Sequence, residues 1–405
     1  MLPDLFEHVK NAPILSAMVA LVGTFLTAYL GGLGRKAADH FSLPKKRRSS
    51  SKPVVNSSLA GVLEKNARPL TSPELLDCYN QEQHYQLQIG GQTRRLPACF
   101  ALQPQEDGKV TNQKIDFSFD SDLFELDAAL DSLTKDAFGK VLEQRRTGSL
   151  YDGSMFRLRS IKKSEDRTVI DIQRTTYFRS LRTNFMLDQK LAGHSKSLRD
   201  LVTIESGKLG DFASSRLSNH IGLVVMVETS DGQLLVQNRS GEVAIRANTL
   251  SSSVSGTFEG SDFSKDVPYI SMEHSLGGII REIQGEMGAV QVDADNIYFL
   301  GLLREYRRGG FPDFYFLWEA PYTLETIQNL SKYAQEDFEF INYEGYHYQS
   351  KSLEINSVAG RRDFEDRVSK IFVEVEDNAN LTLKLGLSLA FEHHLRVHCG
   401  NNDGV

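Results

Sequence analysis

Three glutamates and an arginine in the run Glu273 to Gly288, EHSLGGIIREIQGEMG, have the types and spacing to hold a divalent cation. Glu282 and Glu286 are i and i+4, so on a helix their carboxylates lie one above the other on a single face. Mg²⁺ takes hard oxygen ligands and keeps part of its water shell, so two carboxylates plus substrate phosphates are a usual way to bind it. Mn²⁺ accepts the same donors. Arg281 can orient or neutralise a neighbouring carboxylate, and Glu273, near the helix start, is a third candidate ligand or a partner of Arg281. Solvated helix faces also carry acids at this spacing. Against that stand Gly277, Gly278 and Gly285: each glycine costs a helix interior about 1 kcal/mol relative to alanine, which points to close backbone packing or ligand approach.

The run resembles the Nudix box, G-x5-E-x7-R-E-U-x-E-E-x-G-U with U a bulky apolar residue: Glu273, Arg281, Glu282, Ile283, Glu286 and Gly288 stand at matching places. Gly285 replaces the first acid of the E-E pair. Val267 occupies the place of the leading glycine, but Ser255-Gly256-Thr257-Phe258-Glu259-Gly260 supplies one earlier, so residues 261–272 are read as containing an insertion. Further runs, Leu150 to Ser160, Thr176 to Arg179 with Thr183-Asn184-Phe185, and Leu217 to Ser240, are similar to the divergent Nudix branch typified by the animal UDP-glucose pyrophosphatase. That branch places an extra domain ahead of the Nudix domain.

The resemblance implies an α/β (α+β) protein with a Nudix fold, a mixed sheet sandwiched between helices. It implies Mg²⁺-dependent cleavage of a nucleoside diphosphate derivative, with UDP-glucose or UDP-galactose giving UMP and a sugar 1-phosphate. Glu273, Arg281, Glu282 and Glu286 are the implied catalytic set, with Glu282 and Glu286 as metal ligands. Tyr177, Thr183 and Asn184 are implied nucleoside contacts, and Arg239 and Arg304 are further substrate-binding candidates. A general base from outside the box has three candidates, Glu305, Asp313 and Glu319. Arg304, Arg307 and Arg308 flank the turn REYRRGGFPD and could clamp phosphate bidentately. Two alternatives stay open: ADP-ribose or another nucleoside diphosphate derivative as substrate, and a degenerate module that binds a nucleotide without turnover.

The elements that must position these residues can be read from periodicity. YQLQIGGQTRRLPACF alternates about Gly90-Gly91 and predicts a hairpin over 85–100, whereas apolar residues at helical spacing predict a helix over 123–145 opening after Ser121. Strands are expected at 155–159 and 168–173, joined by the charged turn KKSEDR. GLVVMVE and QLLVQN, joined by Thr229-Ser230-Asp231-Gly232, predict a second hairpin; strands follow at 297–302 and 314–318, and helices at 323–334 and 381–398. His393-His394 therefore read as helix residues rather than metal ligands.

A chain of 405 residues accommodates an N-terminal α+β domain over 53–216 and a Nudix domain over 217–400, with 49–75 as linker passing into fold. The net charge of -7 argues against a nucleic-acid partner. Cys78, Cys99 and Cys399 are odd in number and far apart, which suggests neither a disulfide framework nor a zinc site. Residues 1–52 differ in kind. Ala12 to Gly34 carries no charge and is long enough to cross a hydrocarbon core, so a transmembrane helix is expected rather than a cleaved signal peptide, because Asp4 and Glu7 outweigh Lys10 ahead of it. Arg35, Lys36, Lys45, Lys46, Arg47, Arg48 and Lys52 follow it, which predicts a single-pass membrane protein with its catalytic part in the cytoplasm. Ser16, Ala20, Thr24, Ala28 and Gly32 recur every four residues, a candidate helix-pairing face for a homodimer.

Overall fold

Thr71 opens the first helix, α1 (Ser72–Cys78): its hydroxyl accepts from the Glu74 N–H while Glu74 reaches back to the Thr71 N–H, a capping box. This helix begins inside the stretch 49–75 that composition presents as linker passing into fold. The computed structural model describes residues 70–399 apart from 106, 145–151, 190, 192–195, 203–206, 240–248, 260–261, 264–268, 335–339, 349–354 and 356. The described residues all belong to the unit Asn56–Val405. No helix among them is long and apolar enough to cross a membrane. The span expected at 12–34, the basic residues after it and the candidate pairing face lie outside the described residues.

The alternating run folds as a hairpin of β1 (Tyr85–Ile89) and β2 (Gln92–Leu96), with Tyr85, Leu87 and Ile89 buried and the residues between them exposed. Next come β3 (Ala98–Leu102), β4 (Ile115–Leu123) and α2 (Ala128–Gln144). The expected helix start at Ser121 was too early. Ile115 and Phe117 alternate inward on a strand, and the true cap is Asp127, whose carboxylate accepts the Leu130 N–H at 3.0 Å. After α2 follow β5 (Ser154–Lys163), β6 (Thr168–Thr176), α3 (Tyr177–Arg182) and α4 (Leu198–Val202).

Asp127 gives a stability prediction. The hydrogen bond from Arg216, then that from the Leu130 N–H, hold its carboxyl down at about 2. Asp127→Ala should cost about 1 kcal/mol at neutral pH, the usual worth of a helix cap. A carboxyl depressed in the folded state stabilises above its unfolded pKa of about 3.9 and loses that contribution as pH falls toward the folded value. Urea denaturation of both proteins should therefore show the difference narrowing below about pH 4; a gap that stays constant down to pH 2 would remove the carboxylate from the account.

The second half supplies β7 (Gly222–Glu228), β8 (Gln233–Arg239), β9 (Leu250–Ser251), β10 (Val254–Thr257), β11 (Tyr269–Ser271) and α5 (Leu276–Met287). Then follow β12 (Ile297–Glu305), β13 (Phe311–Glu319), α6 (Leu324–Ser331), β14 (Phe340–His347), α7 (Val358–Val375) and α8 (Leu381–Cys399). The large sheet runs β14-β8-β7-β13-β12-β3, with β7 and β13 parallel and the remaining pairs antiparallel. β7 is buried throughout and β13 up to Trp318 because both faces are covered, and the residues between Leu223 and Val227 and between Phe314 and Trp318 are all apolar. Leu223, Val225, Val227, Phe314, Phe316 and Trp318 pack with α5 on one side, while Val224, Met226, Tyr315 and Leu317 pack with α7 and α8 on the other. The class is mixed α+β, with a sheet between layers.

The expected division at 217 is crossed in both directions. β3 comes from the first half and forms the edge of the large sheet beside β12. β11, from within 261–272, adds to the second sheet, β11-β4-β6-β5. One irregularity bears on the site. β7 and β8 pair only at Glu228 and Leu234; toward the start of β7 the sheet forks, with β10 on β7 and β9 on β8. The fork carries Ser255 and Gly256 to the surface that α5 packs against.

Candidate functional site

The helix expected from the glutamate spacing is α5, entered through a 3-10 turn at Glu273–Ser275. Its apolar face, Leu276, Ile279, Ile283 and Met287, packs into the core, and Gly288 ends it at φ +82°, a conformation glycine adopts without strain. Glu282 and Glu286 lie on the buried side, 6% and 0% exposed. Carboxylates in that position need donors, and the fork supplies them. Glu282 Oε1 accepts the Thr257 N–H at 3.1 Å and Glu286 Oε1 the Ser255 N–H at 3.0 Å, while the Gln237 amide donates to Glu286 Oε2. Gly256 lies between those two amides, and a Cβ there would fall 2.0 Å from the Glu282 carboxyl carbon.

Arg281 ties the helix to the fork. Its guanidinium donates to Glu282 Oε1 at 2.9 Å, to the Thr257 carbonyl at 2.9 Å and to Asp262 at 2.8 Å, with Glu259 at 3.7 Å. Burial pulls its pKa down, but the Asp262 hydrogen bond and the charges of Glu282, Asp262 and Glu259 outweigh that and hold it above the ordinary arginine value. Glu273, expected as a ligand or as the partner of Arg281, is exposed at the start of the 3-10 turn. Asp262, from the run 261–272, occupies the partner role instead. The glycines divide likewise: Gly278 lies against Asp262 and Phe258 with no room for a side chain, whereas Gly277 faces open space.

Beside the fork a cavity of about 190 Å³ is lined by Tyr177, Phe185, His220, Arg239, Ser255, Gly256, Arg308 and Asp313, together with Asn380 and Thr382 at the start of α8. Of the five expected substrate contacts, Tyr177 and Arg239 reach it, and Arg239 also donates to the Ser255 hydroxyl at 3.1 Å. The other three serve the scaffold. The Thr183 hydroxyl donates to the Arg179 carbonyl and accepts the Ser218 N–H. Asn184 bonds the Asn219 side chain and backbone N–H, and its amide donates to the Arg308 carbonyl at 2.9 Å. Arg304 donates to the Gly210 carbonyl and stacks on Phe212.

Arg308 is buried with its guanidinium between Glu305 and Asp313, above the Phe311 ring at 3.8 Å. Its turn is pinned from below by Arg199, which donates to the Tyr306 and Arg307 carbonyls at 2.7 and 2.5 Å. The three base candidates thus separate. Asp313 lines the cavity, Glu305 faces Arg308, and Glu319 stands at the far end of β13. His220, which spacing had not singled out, closes the cavity wall with Nδ1 2.5 Å from the Ser180 hydroxyl; burial, then Arg308, push it down to about 3, so it is neutral at physiological pH.

Together these elements offer buried carboxylate oxygens on one side of the fork and arginines, an acid and two aromatic rings on the other. Hard oxygen donors with acids in excess of cations at the fork, Glu282, Glu286, Asp262 and Glu259 against Arg281 and Arg239, suit a divalent cation better than an anion or a soft metal.

No family model and no curated protein matches this chain. Among solved structures it has a similarity to the crystal structure of DR0079 from Deinococcus radiodurans, at 16% identity and a TM-score of 0.22. The match covers 31% of this chain and spans 65% of that one's length, and at that score it carries no argument about fold or function.

Proposed function

We propose that this chain is a Nudix-type, Mg²⁺-dependent pyrophosphohydrolase acting on a nucleotide sugar, with UDP-glucose or UDP-galactose giving UMP and a sugar 1-phosphate. The observation that carries the reading is the packing of Glu282 and Glu286 against the fork at Ser255–Thr257, with Arg281 bracing Glu282 and a cavity on the other side of Gly256. Glu282 and Glu286 are the residues that would hold Mg²⁺, which when bound neutralises a diphosphate and lowers the pKa of its water. In this reading Arg239 binds a phosphate, Tyr177 and Phe185 offer rings to a base, and the Asp313 carboxylate, held by Arg308, takes the proton of the attacking water; all four line the cavity. Water adds to one phosphorus and the bridging oxygen leaves with the other. The same reading carries the membrane tether expected from residues 12–34.

One observation favours a second reading, nucleotide binding without turnover. Both Glu286 oxygens already accept hydrogen bonds, and position 285 offers no carboxylate. A phosphatase-coupled phosphate-release assay on the full-length chain, run with Mg²⁺ across a panel of nucleotide sugars and ADP-ribose, decides between them. Turnover of a UDP-sugar is expected. Tight binding without turnover would establish the second reading, and neither binding nor turnover would remove both.

A further inference from the structure

A second cavity, of about 350 Å³, shares a wall with the candidate site and is used by no step described above. At the start of α8 alternate residues divide between the two: Ala379 and Leu381 line this cavity, Asn380 and Thr382 the other. On the turn after β12, Arg307 lines this one and Arg308 the other. The floor is apolar, since Leu87 from β1, Leu96 from β2, Phe372 from α7 and Leu381 from α8 belong to the core beneath it. Above that floor stand four cations, Arg94, Arg95, Arg307 and Lys384, against one acid, Glu376. The chain as a whole has a net charge of -7, so this positive surplus runs against the composition.

Glu376, just past the end of α7, accounts for two of the four cations. Arg94 stands opposite Leu87 in the β1-β2 register, which turns it toward α7, where it donates to Glu376 at 2.7 Å and lies over the Phe372 ring at 5.6 Å. Lys384 donates to the Glu376 carbonyl at 2.8 Å and stands 3.7 Å from its carboxylate. Arg95 and Arg307 are left over: among the described residues no acid and no acceptor meets either guanidinium. On a flat, solvated surface two such arginines would call for nothing. Here they rim a cleft with an apolar floor, and like charges over low-dielectric walls focus their field and concentrate an anion. Arg307 is also fixed in place, because Arg199 holds the Tyr306 and Arg307 carbonyls of its turn.

We propose that this cavity binds a phosphate monoester with an apolar body, the phosphate held by Arg95 and Arg307 and the body resting on Phe372 and Leu96. A guanidinium matches phosphate oxygens in bidentate pairs, and the apolar floor gives the rest of the ligand somewhere to leave water. The assignment stands whether or not the neighbouring site hydrolyses anything. Isothermal titration calorimetry of the full-length chain with phenyl phosphate tests it, in EDTA so that no metal reaches Glu282 and Glu286. Saturable binding is expected, and Arg95→Gln and Arg307→Gln should each weaken it at least about ten-fold, as the loss of a charged hydrogen-bond partner does. Inorganic phosphate, which lacks the ring, should bind at least about ten-fold more weakly than phenyl phosphate, the worth of burying one aromatic ring. Because the two cavities share a wall, Arg239→Gln is the control and should leave the affinity unchanged. Arg95 is exposed, so its variant keeps the test intact should Arg307→Gln fail to fold. Vesicles carrying phosphatidic acid present the same headgroup chemistry: displacement of phenyl phosphate by them assigns the cavity to a lipid, and no displacement to a soluble ester. No saturable binding, binding lost in Arg239→Gln but kept in Arg95→Gln and Arg307→Gln, or equal affinity for inorganic and phenyl phosphate would overturn the proposal.

Discussion

Glu286→Gln is expected to lower kcat on a UDP-sugar by at least about two powers of ten, close to 2.7 kcal/mol of transition-state stabilisation, with the protein still folded. The substitution removes one charge and no heavy atom. The side-chain carbonyl of the introduced glutamine can still accept from the Ser255 N–H, which Glu286 now holds at 3.0 Å. Its new amide needs an acceptor, and one is at hand. Gln237 Oε1 is buried and makes no hydrogen bond among the described residues, and a half-turn of the Gln237 amide presents that oxygen to position 286. The melting temperature should therefore change little while turnover collapses. That contrast separates a ligand from a structural acid: a buried carboxylate serving only the fold would lose stability and keep its kinetics. Full kcat in a folded Glu286→Gln protein would falsify the metal-ligand assignment.

What could be read along the chain was whatever local periodicity determines. Glu282 and Glu286 share a face because helix geometry places i and i+4 together, and β7 and β13 read as strands because a strand covered on both faces has no polar alternation to mask it. Gly222–Glu228 was found to the residue, whereas the helix expected from Leu123 begins at Ala128. There the apolar residues of β4 are compatible with two periods, and only the pairing of β4 with β6 chooses. Partners brought by tertiary contact left no local mark. Asp262 reaches Arg281 from the loop after β10, Gln237 reaches Glu286 across the fork, and Asn184 holds the Arg308 carbonyl from a distant turn. Resemblance assigned Asn184 to the ligand because it marks position and not direction, and the side chain is spent on the scaffold. His394 was set aside as a helix residue for the same reason. It is one, and only the fold brings it 2.8 Å from Glu228 at the end of β7.

Gly256→Ala should abolish turnover as completely as losing a ligand, through a methyl group that touches no substrate. A Cβ at this position would stand 2.0 Å from the Glu282 carboxyl carbon and 2.3 Å from both of its oxygens. β10 cannot retreat, because it is paired to β7 from Val254 to Thr257, so the carboxylate must swing away. Glu282 then loses the Thr257 N–H and its contact with Arg281, which leaves Arg281 to Asp262, Glu259 and the Thr257 carbonyl. Forcing one methyl into a filled space costs about 1–3 kcal/mol of stability, and displacing the acid should cost at least about two powers of ten in kcat. A double-mutant cycle identifies the cause. With Glu282→Ala in place the added methyl has room, so Gly256→Ala should cost little further stability and no further activity, giving a strong coupling between the two positions. If the two penalties add instead, the glycine is needed for the backbone of β10 itself and not for the carboxylate pressed against it.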